Sequence, residues 1–120
     1  MAVTIDYQGH VGHQRDVYPE AGTCLQGCVD VSYQRLVEVF GRPNYPGDPY
    51  KMDAGWLIYS PDGVATIYNY KDGKQYLGAE GQNVADITDW HIGAHTWRPV
   101  VWVRHALGLG DDAQHSPPLA

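Results

Sequence analysis

The tripeptide Pro61-Asp62-Gly63 constrains this chain more than any other feature. It separates two stretches, 53–60 and 64–70, that are rich in β-branched and aromatic residues. Proline presets the first turn torsion and glycine accepts a positive one, so the two stretches are expected to fold back on each other as an antiparallel hairpin. Strand periodicity then places Trp56 and Ile58 on one face of the first strand. On the second strand it divides Ala65, Ile67 and Asn69 from Val64, Thr66, Tyr68 and Tyr70. Neither face of that second strand is cleanly polar, which implies partial cover on both sides. Asp72-Gly73 is a second turn signal, and a third strand is expected over 75–77.

Helical periodicity flanks the hairpin. Tyr33, Leu36, Val37 and Phe40 recur at i, i+3, i+4 and i+7 behind a capping residue at Asp30 or Ser32, while Gly41 and Pro43 stop the helix. From Thr96, Val100, Val103, Ala106 and Leu107 fill a second stripe, with Pro99 tolerated in the first turn and Gly108 as the stop. The segment 84–92 carries Ile87, Trp90 and Ile92 and reads as a turn leading into a last strand. The fold class that follows is α+β: a small antiparallel sheet with a central hairpin, packed against two short helices.

At 120 residues there is material for one core. Residues 1–22, with a weak alternation over 2–7 followed by Gly and Pro breaks, are expected to form an N-terminal arm or edge strand. Residues 23–108 make the single domain, and 109–120 a flexible tail with little apolar surface. A formal charge of -6 disfavours non-specific binding to nucleic acid. No apolar run reaches the roughly 20 residues that cross a bilayer, so no membrane partner and a cytoplasmic location are expected. Two cysteines four apart do not make a disulfide frame and are expected to be reduced.

Two clusters carry metal-ligating residue types. His10 and His13 with Cys24 and Cys28 have spacings near those of tetrahedral zinc sites, but in reversed order and partly in the arm. Asp89, His91 and His95 form the second cluster, in which His91 and His95 would come together if the segment were helical, which Gly93 opposes. The expectation is therefore no metal and no cofactor. A Cys nucleophile with a His base lacks a recognisable setting, and no phosphate-cradling glycine motif is present. The chain is expected not to be an enzyme. The abundance of tyrosine and tryptophan, nine and four against one phenylalanine, instead suits a binding surface, because these side chains join an apolar body to a polar tip. The residues assigned to that surface are Tyr68, Asn69, Tyr70, Lys71 and Lys74 in and after the hairpin, together with His91, Arg98 and Trp102. Cross-strand aromatic pairing offers a purely structural account of the same tyrosines.

The segments Leu25-Gln26-Gly27, Ser32-Tyr33, Leu36-Val37, Phe40-Gly41-Arg42-Pro43 and Asp53-Ala54-Gly55-Trp56 resemble a family of small tailed-phage and prophage accessory proteins. The likeness continues through Ala65-Thr66-Ile67-Tyr68-Asn69-Tyr70-Lys71-Asp72-Gly73-Lys74 and Ile87-Thr88-Asp89-Trp90-His91-Ile92-Gly93. The chain departs from the family pattern at Cys28, where an aromatic residue stands, at Gly55, where an acidic one does, and at Ala94, where glycine does. The resemblance implies a role in host takeover or counter-defence. One form is an inhibitor that binds a host or defence protein, as an anti-CRISPR protein does. Another is a sponge that sequesters a nucleotide second messenger, with Lys71, Lys74, Arg98 or Arg104 meeting phosphate. A third is an enzyme that degrades such a messenger. Homo-oligomerisation is left open.

Overall fold

A computed structural model describes residues 22–109. The expected strand over 2–7, the residues His10 and His13, and the tail beyond 109 lie outside them. The described chain is α+β. Strand β1 (Cys24–Asp30) leads into helix α1 (Tyr33–Phe40), then the hairpin of β2 (Gly55–Ser60) and β3 (Gly63–Tyr68). A one-turn helix α2 (Lys74–Leu77) and two 3-10 turns precede β4 (Asp89–Ala94), and helix α3 (Arg98–Ala106) follows it. The four strands form one antiparallel sheet in the order β1-β4-β3-β2.

The hairpin forms where the turn signal places it, with Ser60 opposite Gly63. The Ser60 hydroxyl donates to the Gly63 carbonyl at 2.6 Å and accepts from the Asp62 N–H at 3.1 Å, while Gly63 takes φ 125°. Both expected helices are present. Ser32 caps α1 by accepting the Arg35 N–H at 3.0 Å, and Gly41 ends it at φ 85°. Thr96 Oγ1 accepts the Arg98 N–H at 3.3 Å at the start of α3.

One face of the sheet carries the core. Val29, Trp56, Ile58, Ala65, Ile67, Trp90 and Ile92 are buried there against Leu36 and Phe40 of α1 and Val100, Val103 and Leu107 of α3 and its cap. The two central tryptophans meet edge to face with ring centroids 5.5 Å apart, and both indoles donate to carbonyls: Trp56 to Gly41 at 2.8 Å, Trp90 to Val31 at 3.0 Å. Burying those N–H groups unpaired would cost several times the net value of a hydrogen bond, so the pairs fix how α1 and its flanking turns dock on the sheet.

Two elements differ from expectation. The segment 75–77 is helical, because the Asp53 carboxylate reaches across to accept the Gln75 N–H at 3.3 Å and occupies the space a Cβ at Gly73 would need. Strand β1 was not foreseen, since Gly27 interrupts its pattern. Gly27 sits beside the bulge between Leu25 and Gly27, and a Cβ there would stand 2.9 Å from a methyl of Val100. Its lack of a side chain is what lets α3 approach β1.

Candidate functional site

Among the described residues, no helix lies over the opposite face of the sheet. Strand alternation puts Cys28, His91 and Tyr68 there in one row, since Cys28 pairs with His91 across β1 and β4 and Tyr68 pairs with His91 across β3 and β4. The segment 44–52 borders this face. Asn44 exchanges both side-chain hydrogen bonds with the backbone of Leu57, accepting at 2.8 Å and donating at 3.2 Å, and so closes the free edge of β2. Past it, Tyr45 and Met52 join Thr66, Tyr68, Tyr70 and Gly93 around a pocket of about 210 Å³. Thr66 and Gly93 are buried beneath it, and a Cβ at Gly93 would come within 2.7 Å of the Thr66 hydroxyl.

Around this pocket the aromatic rings converge. Tyr68 lies 5.6 Å from His91 and 6.5 Å from Tyr70, and Tyr70 lies 5.8 Å from His91. Tyr70 is 40% exposed. Two ammonium groups stand over its ring, Lys71 at 5.2 Å and Lys51 at 5.9 Å, and Lys71 also lies 5.3 Å from the Tyr76 ring. Tyr50 extends the surface, edge to face with Tyr76 at 5.3 Å. Lys71 reaches both rings from φ 64°, the one non-glycine positive φ among the described residues. The left-handed region costs an L-residue roughly 1–2 kcal/mol, and the Lys71 N–H bonded to the Lys51 carbonyl at 2.8 Å helps to hold it.

Of the eight residues assigned from sequence, Tyr68, Tyr70, Lys71 and His91 come together. The other four do not join them. Asn69 is fully buried, with Oδ1 accepting the Asp53 and Ala54 N–H groups and Nδ2 donating to the Asp53 and Asp72 carboxylates. Lys74 reaches the Ala79 carbonyl at 3.4 Å and fastens the turn after α2. Arg98 lies over the exposed Trp97 ring at the start of α3, in the helical layer. Trp102, expected exposed, is half-buried against Phe40 with centroids 6.3 Å apart. Arg104, a phosphate candidate on the nucleotide reading, is buried beneath β1 and donates to the Cys28 carbonyl at 2.7 Å. Lys51, Tyr50 and Tyr45 went unassigned because they precede β2 in a loop without periodicity and meet the hairpin only through the fold.

The metal-ligating residues regroup as well. Cys24 pairs with Ala94 and Cys28 with His91, so the two thiols stand at separate positions along β1. Both are free and exposed. His95 lies past the end of β4, beside Gly22. Cys28 instead meets Asp89 and His91: one donor atom from each lies within 4.8 Å of the other two. Partial burial pushes the Cys28 thiol up, the Asp89 carboxylate pushes it further, and Arg104 opposes both. A nucleophilic cysteine requires the reverse, a depressed thiol. The Tyr68 phenol is also raised, by burial first and then by Tyr45, Cys28, Tyr70 and Cys24.

Comparison with protein families, with curated proteins and with solved structures finds no match to this chain. No helix of the described residues is long and apolar enough to cross a membrane.

Proposed function

We propose that this chain is a non-enzymatic binding protein that grips a host or defence protein with the open face of its sheet. The observation that carries the reading is the cluster of Tyr68, Tyr70 and His91 beside a pocket of about 210 Å³, on a face that no helix of the described residues covers. That volume falls below the ~300–1,000 Å³ of pockets that engulf small ligands, and suits one inserted side chain. Amphipathic aromatics around a small pocket are the usual make-up of an interface hot spot. The net charge of -6 adds long-range attraction for a basic partner, of the kind that binds nucleic acid. On the phage resemblance, the partner is a component of the host cell or of its antiviral defence, and the chain acts as an inhibitor.

A second reading, a sponge for a nucleotide messenger, is favoured by the two lysines over Tyr70, which would offer phosphate contacts beside a stacking ring. Native mass spectrometry of the protein purified from bacterial cells carrying an active nucleotide-signalling defence separates the two. A co-purifying protein that is lost with Tyr70→Ala supports the inhibitor. A retained species of nucleotide mass selects the sponge. Wild type and Tyr70→Ala both emerging bare from such cells would contradict both.

A further inference from the structure

We propose that Cys28, Asp89 and His91 form a zinc-binding site on the open face of the sheet. The site follows from strand register alone. Cys28 and His91 are directly opposed across β1 and β4, and Asp89, two residues before His91, points to the same face. Their donor atoms lie within 4.8 Å of one another. In tetrahedral zinc coordination with bonds of about 2.0–2.3 Å, donors are separated by about 3.3–3.8 Å, so rotamer adjustments of about an ångström close the set. Cys28 and Asp89 are exposed and His91 is half-buried, which leaves an entry path and a fourth position open to solvent.

A second feature of the register favours a cation. Asp30 is directly opposite Asp89, two residues along from the Cys28 and His91 pair and on the same face. Like charges facing each other across strands are destabilising. Neither carboxylate takes part in an ion pair among the described residues. A divalent ion held by Asp89 relieves that repulsion. The donor set selects the ion: a thiolate with an imidazole favours zinc over calcium and magnesium, which prefer all-oxygen shells. Thiolate and carboxylate together carry two negative charges, matching the ion. Since the three side chains project from a sheet already built by backbone pairing and a separate apolar core, the ion is an addition to the folded domain and not a condition of it. It would sit beside Tyr68, which flanks His91 on the other side.

The test is titration of the chelator-treated full chain with Zn(II), and with Co(II) as a spectroscopic probe. Stoichiometric binding with a thiolate-to-cobalt charge-transfer band is expected, together with a modest rise in melting temperature. Loss of an outer-shell partner already weakens metal sites by ~10–100-fold, so Cys28→Ser, Asp89→Asn and His91→Ala should each weaken binding by at least that much. Cys24→Ser should leave it unchanged. Circular dichroism verifies that each variant is folded, and the exposed positions Cys28 and Asp89 keep the test decisive if His91→Ala is not. Absence of binding, binding that survives Cys28→Ser, or binding that depends on Cys24 would overturn the site.

Discussion

The amide of Asn69 holds the chain ahead of β2 by gripping Asp53 twice: its Oδ1 accepts the Asp53 N–H at 2.7 Å and its Nδ2 donates to the Asp53 carboxylate at 2.9 Å. The same amide accepts the Ala54 N–H at 3.1 Å and donates to Asp72 at 2.9 Å. Since Asp53 in turn accepts the Gln75 N–H, one buried side chain ties the start of β2 to the start of α2. Asn69→Ala should therefore destabilise the domain by roughly 2–4 kcal/mol, because buried backbone donors are left without acceptors. Asn69→Asp should be no better, as it replaces the two donors with a third carboxylate beside Asp53 and Asp72. Thermal and denaturant unfolding measure both. Wild-type stability in either variant would contradict this account of the junction.

The close approach of α3 to β1 predicts a compensating pair. Gly27→Ala puts a methyl 2.9 Å from a Val100 methyl, and a β-branched side chain has little freedom to turn away. Overpacking of this kind costs about 1–3 kcal/mol. In the double variant Gly27→Ala, Val100→Ala the new methyl occupies part of the vacated space, so the measured loss should be smaller than the sum of the two single losses. Strict additivity would show that the two residues do not share that space.

Alkaline pH provides a third prediction. Folding raises the Cys28 thiol above its ordinary 9.0 and the Tyr68 phenol above its ordinary 10.0. Above those ordinary values the unfolded chain releases protons that the native chain keeps. The native state then binds more protons, and stability falls as pH rises. Melting temperature measured in chelator should therefore be level through neutral pH and decline from the ordinary thiol value upward. Cys28→Ser and Tyr68→Phe should each flatten the decline. An unchanged profile in both variants would place the titration elsewhere.

What could be read from the sequence follows the range of the interactions. The hairpin, α1, β4 and α3 rest on local signals: Pro61 to Gly63, Ser32 with Gly41, the alternation of Trp90 and Ile92, and the Val100 and Val103 stripe. Strand β1 was hidden because Gly27, a strand breaker by propensity, is selected by packing against Val100, seventy-three positions away. Helix α2 was hidden because its N-terminal acceptor, Asp53, comes from before β2. Tyr68, Tyr70 and Lys71 could be assigned together because they adjoin in sequence, and His91 joined them through its own run. Lys51 and Tyr50 could not be, since only the folded chain brings residues 50 and 51 to Tyr76 and Tyr70. Asn69 alternates away from its tyrosine neighbours, as the strand period requires, and that rotation turns it from a surface residue into a buried junction.

The central claim is that the open face binds a partner, and Lys71 tests it most directly because its backbone strain separates binding from stability. Lys71→Gly relieves a left-handed penalty of roughly 1–2 kcal/mol, against which stand lost ammonium–ring contacts worth ~0.5–1 kcal/mol each and the added chain entropy of glycine. Its stability should stay within about 1 kcal/mol of wild type. Tyr70→Ala gives up both ammonium–ring contacts at a 40% exposed position, so it should stay folded at a cost of about 1–2 kcal/mol. If the face is the recognition surface, both variants lose affinity for the co-purified partner, with Tyr70→Ala weakened about thirtyfold, the scale of a ~2 kcal/mol hot spot. Calorimetric titration of the two folded variants against that partner decides the matter. Weakened binding by variants that are fully folded at the titration temperature, with Lys71→Gly melting near wild type, is the result predicted here. Wild-type affinity in both variants would contradict it and leave the tyrosines of the hairpin as scaffold alone.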